Sequence, residues 1–235
     1  MASSWEKITV DNSDMRAYVA VPETSQKVPG IVVVQGQTGV GDFVEFSRMV
    51  AAEGFVAAAP DLYHRDPPDC KDDPPTRRMR LTDRTVVADI NATVDYLKSH
   101  AGVDARRIGI VGFCMGGRTV YLMAAVNADI KAGVMYYGGD TFSPWGDGPS
   151  PFERTAQIHC PILGHFGADD KNPSPDDMRR LDAEMTRLGK PHEFHSYANA
   201  AHAFANFGSG AFREHAAKAS WPRTFDFFRE QLQAR

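Results

Sequence analysis

The sequence predicts an α/β fold, with a mainly parallel central sheet and helices on both of its faces. Two observations support this fold class. Segments typical of strands alternate with segments typical of helices along the chain, which is the order that builds a parallel sheet. The run Ile31–Gln35 is rich in β-branched residues, as in a strand that is buried on both faces.

The first part of the chain predicts an antiparallel hairpin that leads into the parallel strands. The hairpin turns at the polar positions 11–14. A helix is expected from about Asp42, whose carboxylate would cap it, with Glu45 in the capping-box position. The predicted strands of this part are Lys7–Val10, Ala17–Val21, Ile31–Gln35 and Phe55–Ala59.

The remainder of the chain continues the alternation. A helix beginning near Asp83 has apolar residues every three or four positions, at Val86, Val87, Ile90, Val94 and Leu97. Ser174 is placed to cap a later helix, in which Pro175 takes the first helical position. The predicted strands are Arg107–Val111, Gly133–Tyr137, Ile162–Phe166 and His192–Tyr197. The other predicted helices are Arg118–Ala125, Asp176–Leu188 and Trp221–Leu232.

A proline-rich, charged segment, Asp61–Thr82, interrupts this alternation. It shows no hydrophobic period, and a connection of this length is typical of a substrate-facing loop or of flexible surface. The chain shows no internal repeat and no low-complexity linker, so residues 1–235 are expected to form one domain.

Composition narrows the possible classes of function. The chain has 235 residues, of which 43% are hydrophobic and 24% charged, as in an ordinary globular protein. A net charge of −4 argues against a nucleic-acid-binding surface. The N-terminus lacks a signal-peptide pattern and no apolar run is long enough to span a membrane, so a cytoplasmic protein is expected. The number of subunits is not predicted.

The segment Gly112–Gly117, with sequence GFCMGG, carries the strongest chemical signal. It lies between a predicted strand and a predicted helix and has the nucleophile-elbow pattern Gly-x-nucleophile-x-Gly, with Cys114 in place of serine. In such a turn the first helical amides point at the reacting carbonyl. Two alternatives remain open: a glycine-rich turn around a buried, inert cysteine, and a dinucleotide-binding turn, whose spacing fits less well.

An acid and a histidine follow in the order that this architecture requires. Asp170 lies just after a late strand and is preferred to the neighbouring Asp169, although both could simply solvate a loop. His202 follows the last strand and is flanked by alanines. Nucleophile, acid and base in this order predict a catalytic triad of Cys114, Asp170 and His202. The histidines and cysteines elsewhere, such as His159, Cys160 and His165, are too irregularly spaced to indicate a zinc site.

These motifs resemble the dienelactone hydrolase (carboxymethylenebutenolidase) family of α/β-hydrolases. The resemblance extends over almost the whole chain and includes the elbow, Tyr136–Gly138, Gly167–Asp170 and Ala201–Phe204. It implies hydrolysis of a lactone or activated ester, a small-molecule substrate, without a metal or organic cofactor. The backbone N–H groups of Met115 and Gln37 are expected to hold the oxyanion, and Tyr137 is expected to touch the substrate.

Two positions depart from the family pattern. Gly36 occupies the place of a family glutamate that lies beside the cysteine, and Asn206 occupies the place of an arginine that binds the substrate carboxylate. A substrate carboxylate would then have to be bound by another cation. The candidates are Arg77, Arg78, Arg80 and Arg118, each of which could equally be a surface charge.

The departures leave three functions open. The first is hydrolysis of lactones and activated esters through a thioester to Cys114. The second is hydrolysis of an aryl ester or thioester on the same fold. The third is a protein without turnover that binds a ligand or senses oxidants through Cys114.

Overall fold

The computed structural model describes residues 1–233, and an eight-stranded sheet lies at its centre. The strands are β1 (Ala2–Val10), β2 (Ser13–Val21), β3 (Val28–Val34), β4 (Val56–Pro60), β5 (Val103–Phe113), β6 (Ile130–Tyr136), β7 (Ile162–Gly167) and β8 (His192–Tyr197). Their spatial order is β1-β2-β4-β3-β5-β6-β7-β8. The first two strands form an antiparallel hairpin that also pairs antiparallel with β4, while β3 to β8 pair parallel to one another. The predicted fold class is therefore confirmed.

Six α-helices accompany the sheet within the described residues. They are α1 (Val44–Ala52), α2 (Pro74–Arg78), α3 (Asp83–Ser99), α4 (Met115–Val126), α5 (Pro175–Arg187) and α6 (Glu214–Gln231). Alternate residues of β3 show how the two layers form. Val32 and Val34 pack in one apolar cluster with residues of α3, α4 and α5, whereas Ile31 and Val33 pack in another with residues of α1 and α6. Side chains on both faces are buried because successive strand residues point to opposite faces.

Three predicted helix starts were wrong. A 3₁₀ turn at Val40–Phe43 precedes α1, and no side chain caps that helix, so Asp42 does not act as the predicted cap. The helix α4 begins at Met115 and not at Arg118. Its buried first turn contains Gly116 and Gly117, which are poor helix formers in isolation and therefore suggested a later start. The helix α6 begins at Glu214 and contains Pro222 in its interior.

The capping prediction at Ser174 is confirmed, since its hydroxyl accepts a hydrogen bond from Asp177 N and Pro175 starts α5. The long loop after β4 is more ordered than its composition suggested. Asp73 caps the short helix α2, and Thr82 and Thr85 form a reciprocal cap at the start of α3. The loops that follow β3, β5, β6 and β7 lie at the carboxyl edge of the parallel strands, where sites of such sheets are found.

Candidate active site

Cys114 lies in a strained turn between β5 and α4. Its φ of 58° and ψ of −119° belong to a region that side chains other than glycine rarely adopt. Cys114 N donates to Tyr136 O at 3.0 Å and Arg118 N donates to Cys114 O at 3.2 Å, and these bonds hold the turn to β6 and to α4. The turn places the half-buried thiol at the carboxyl edge of the sheet.

Two glycines allow this turn because any side chain at their positions would collide with backbone. A Cβ at Gly112 would lie 2.1 Å from Gly116 O, and a Cβ at Gly116 would lie 2.4 Å from Val34 O. The elbow therefore depends on close contact between β5, the first turn of α4 and the end of β3. This is the local reason for the Gly-x-Cys-x-Gly pattern.

His202 and Asp170 form a hydrogen-bonded pair beside the thiol. His202 Nδ1 donates to Asp170 Oδ2 at 2.9 Å, which leaves Nε2 as the other ring nitrogen. Asp170 is buried and also accepts from Asn172 N at 3.0 Å, so its carboxylate is fixed in place. The neighbouring Asp169 is exposed and its backbone N–H bonds to Ala200 O. The residue preferred from the sequence is thus the one that contacts the imidazole.

The surroundings of His202 favour its charged form. Burial disfavours the imidazolium, but hydrogen bonds with Asp170 and Cys114, together with the charges of both groups, raise the pKa of His202 to about 10. A carboxylate and a sulfur therefore both favour the protonated ring.

Two cavities meet at Cys114 and His202. The larger has a volume of about 400 Å³ and is lined by Gln37, Arg78, Cys114, Met115, Gly139, Asp140, Trp145, Asp170, Lys171, Asn172 and His202. The smaller, of about 170 Å³, is lined by Gly36, Gln37, Thr38, Asp42, Phe43, Phe113, Cys114, Tyr137, His202, Ala203, Asn206, Gly208 and Ser209. Gln37 and Met115, the expected oxyanion residues, thus lie beside the thiol.

Comparison with known proteins identifies the family. The sequence model described as "Dienelactone hydrolase family" matches residues 15–232. The chain belongs to this family. It is therefore a hydrolase of the dienelactone hydrolase type, and the resemblance seen in its motifs is confirmed.

Named relatives and a solved structure agree with this family. A Salmonella typhimurium protein named "Putative carboxymethylenebutenolidase" is 33% identical over 94% of this chain and 84% of its own length. A Bradyrhizobium protein named "Probable 2-oxo-3-(5-oxofuran-2-ylidene)propanoate lactonase" is 32% identical over 99% of this chain and 96% of its own. A Klebsiella pneumoniae structure titled "Putative Dienelactone Hydrolase" superposes with a TM-score of 0.89, at 30% identity, covering 97% of this chain and 98% of that one.

Three residues expected from the dienelactone hydrolase resemblance line the smaller cavity. Gly36 adjoins the nucleophile, since a Cβ added there would lie 3.5 Å from Cys114 Cβ. Tyr137 is buried and meets His202 edge to face, with ring centroids 5.0 Å apart. Asn206 Oδ1 accepts from Gly208 N at 3.0 Å, so the amide holds its own loop. The wall is therefore uncharged at both positions where the sequence departs from the family pattern.

Of the four candidate arginines, the structure brings one to the site. Arg78 lines the larger cavity and donates to Asp140 at 2.6 Å. Arg77 and Arg80 bind Asp66 in the loop after β4. Arg118 is buried, bonds to both oxygens of Asp83 and stacks on Trp145 with its guanidinium 4.1 Å from the ring centroid. Arg77, Arg80 and Arg118 thus lie outside the two cavities and form ion pairs with carboxylates of the protein.

Several residues of the larger cavity were not predicted from the sequence. Asp140 and Trp145 belong to the loop after β6, and Lys171 and Asn172 directly follow the proposed acid. Asn172 Nδ2 donates to Asp140 Oδ1 at 3.0 Å, which ties the two loops together. In the sequence, Lys171 is marked as a site residue only by its place next to Asp170. No motif marks Asp140 or Trp145 as site residues.

No group of three or more histidine, cysteine or acidic side chains within residues 1–233 is arranged to hold a metal ion. No helix in this range is long and apolar enough to cross a membrane.

Proposed function

We propose that the protein hydrolyses lactones and activated esters through a thioester to Cys114. The observation that supports this proposal is the strained elbow at Cys114, in a cavity that is also lined by His202, whose ring bonds to the buried Asp170 at 2.9 Å. One relative is named as a lactonase, which supports a lactone as the substrate class. Cysteine as the nucleophile and the choice of ester are both parts of the proposal.

The proposed reaction needs Cys114 in its thiolate form, so the thiol proton must move to a base. An ordinary cysteine has a pKa of about 8.5, so only a few per cent is ionised at neutral pH. In the proposed resting state His202 already holds the Cys114 proton as an imidazolium, and Asp170 stabilises this imidazolium and fixes its tautomer. Gly36 offers no carboxylate beside the sulfur, so thiol activation is assigned to His202.

Acylation forms a carbon–sulfur bond and breaks the ester bond. The thiolate adds to the carbonyl, and the backbone N–H groups of Met115 and Gln37 stabilise the oxyanion, each at about 3 to 4 kcal/mol by analogy with other oxyanion holes. As the intermediate collapses, the alkoxide or enolate oxygen departs and takes the proton from His202. For a lactone, the departing oxygen remains attached to the acyl chain.

Deacylation releases the acid. His202 removes a proton from water, which adds to the thioester carbonyl, and the Cys114 thiolate departs with the electron pair of the carbon–sulfur bond. A thiolate leaves more readily than a simple alkoxide, so an alkyl ester or amide would revert from the first intermediate. Enol lactones and aryl esters have stabilised leaving groups and proceed.

Mass spectrometry of the acyl-enzyme tests this function. The protein is mixed with α-angelica lactone, an enol lactone, or with 4-nitrophenyl acetate, quenched in acid within seconds and digested. We expect an acyl adduct on the peptide that contains Cys114, removable by hydroxylamine as a thioester is. Cys114→Ala should form no adduct, and its turnover should be more than about 1000-fold lower, as expected when a covalent nucleophile is removed.

Cys70→Ser is the matched control, because Cys70 is partly exposed but lines neither catalytic cavity. It should keep both adduct and turnover. Full turnover by Cys114→Ala would overturn the proposal. Turnover of neither substrate by the unaltered protein, together with reversible oxidation of Cys114 by peroxide, would indicate an oxidant sensor instead.

A further inference from the structure

The two cavities that meet at Cys114 differ in charge. Arg78, Lys171, Asp140 and Asp170 line the larger cavity. The side chains that line the smaller cavity, among the residues described, include one acid, Asp42, and neither lysine nor arginine. His202 borders both cavities, so among the residues described an anionic group on a substrate would meet a lysine or arginine only in the larger one.

Besides His202, the larger cavity is lined by four charged side chains, and three of these four already have partners. Arg78 donates to Asp140 at 2.6 Å, and Asp140 also accepts from Asn172. Asp170 accepts from His202 at 2.9 Å. Lys171 has no carboxylate within salt-bridge distance among residues 1–233. The guanidinium of Arg78 is thus neutralised by its neighbour, while the ammonium of Lys171 is free.

From this arrangement we infer that Lys171 is a specificity-determining residue that binds a carboxylate of the substrate in the larger cavity. The inference rests on the proposed function, because it assigns a preference to the same site. Lys171 follows Asp170 directly in the chain, so the ammonium lies on the loop that orients the catalytic base. The uncharged part of the substrate then extends into the smaller cavity, on the side of Asn206 and Tyr137.

The exposure of Lys171 determines how strongly it should favour a substrate with a carboxylate. Its side chain is exposed, so water and salt screen the attraction. An exposed ion pair contributes at most about 1 kcal/mol, which corresponds to about a fivefold preference. This preference should shrink as ionic strength rises, whereas the turnover of an uncharged ester should not change.

A pair of esters that differ in one charge tests the inference. 4-Nitrophenyl hydrogen glutarate carries a free carboxylate, and 4-nitrophenyl methyl glutarate carries the same chain with that group masked. Release of 4-nitrophenolate is measured for both. Lys171→Gln should lower kcat/KM about fivefold for the acid and less than twofold for the methyl ester. Lys171→Glu should lower kcat/KM for the acid about twentyfold. Lys171→Arg should keep most of the kcat/KM of the unaltered protein for the acid.

Two further variants separate the alternatives. Lys7→Gln removes the same charge from β1, at the far edge of the sheet, and should leave the preference intact. Arg78→Gln should change the preference less than Lys171→Gln, since Arg78 is paired with Asp140. Equal losses for both esters in Lys171→Gln, or loss of the preference only in Arg78→Gln, would overturn the assignment. Failure of the unaltered protein to hydrolyse either ester would instead contradict the proposed function.

Discussion

The hydroxyl of Tyr63 donates a hydrogen bond of 2.9 Å to the backbone carbonyl of Gln37. The same hydroxyl lies 3.7 Å from Met115 Sδ, so it touches both residues whose amides are proposed to hold the oxyanion. Burial raises the pKa of Tyr63, and the hydroxyl keeps the proton that it donates. Arg77 lies 4.2 Å above the ring and is itself held by Asp66 at 2.6 Å. The loop after β4 is thus connected to the oxyanion site.

Tyr63→Phe should lower kcat about tenfold with little change in KM. The Gln37 carbonyl loses its partner, so the neighbouring peptide is less firmly placed, while removal of a whole oxyanion donor would cost about 100-fold or more. Steady-state kinetics with 4-nitrophenyl acetate provides the measurement.

The control for Tyr63 is Tyr18→Phe. It removes a hydroxyl that accepts from Arg48 at 2.8 Å on the hairpin side of the sheet, and kcat should not change. A raised KM with unaltered kcat in Tyr63→Phe would show that Tyr63 contacts substrate instead of supporting Gln37.

The protonation of His202 gives a second prediction. Its raised pKa of about 10 means that the ring remains an imidazolium at pH 7 to 9 and loses its proton only as the pH approaches 10. Cys114 and Asp170 both raise the pKa of His202, so Cys114→Ala and Asp170→Asn should each lower it. Long-range ¹H–¹⁵N correlation spectra followed over pH 5 to 11 measure it. A midpoint near the ordinary value of about 6.5 in the unaltered protein would contradict the ion pair.

The elbow glycines give a third prediction. Gly112→Ala would place a methyl group 2.1 Å from Gly116 O, so the strand or the helix must shift. We expect a loss of about 3 kcal/mol in the free energy of unfolding, at the upper end of overpacking costs, which lowers Tm by about 6 °C or more. Activity should fall below detection.

Gly41→Ala is the matched substitution, because no atom lies within 4 Å of a Cβ built at Gly41. It should alter neither Tm nor turnover. If Gly112→Ala had the same Tm and the same turnover as the unaltered protein, the close contact between β5 and α4 would not be needed for the elbow.

The fold and the three proposed catalytic side chains were accessible from the sequence because each leaves a local signal. Buried parallel strands are β-branched, and the contact of Gly112 with Gly116 permits no side chain. The charged wall of the larger cavity left no comparable signal. Asp140 and Lys171 belong to separate loops that meet only when β6 and β7 pair in the sheet. The wrong helix starts near Asp42 and Trp221 have another cause. No side chain caps α1 or α6, so a prediction based on capping residues has no signal at their first residues.

A buried histidine behind the site lies in a closed hydrogen-bond network. His165 Nδ1 meets Tyr197 Oη at 2.9 Å, and Nε2 meets Thr224 Oγ1 at 3.1 Å. Burial lowers the pKa of His165 well below its ordinary value, and the charges of His195 and Arg223 lower it further. The ring is therefore neutral in the folded protein.

This network predicts an acid-sensitive stability. The unfolded chain binds a proton at His165 below about pH 6.5, whereas the folded chain does so only at a much lower pH. The free energy of unfolding should consequently decrease as the pH falls from 6.5, with this residue contributing about 1 kcal/mol between pH 6.5 and 5.5. His165→Gln, which does not titrate, should be less stable at pH 7.5 but should lose about 1 kcal/mol less over that interval. Urea unfolding at the two pH values measures the difference.

The control is His159→Gln, which changes an exposed histidine. Its free energy of unfolding should depend on pH as that of the unaltered protein does. The same pH dependence in all three proteins would show that His165 is not the group responsible.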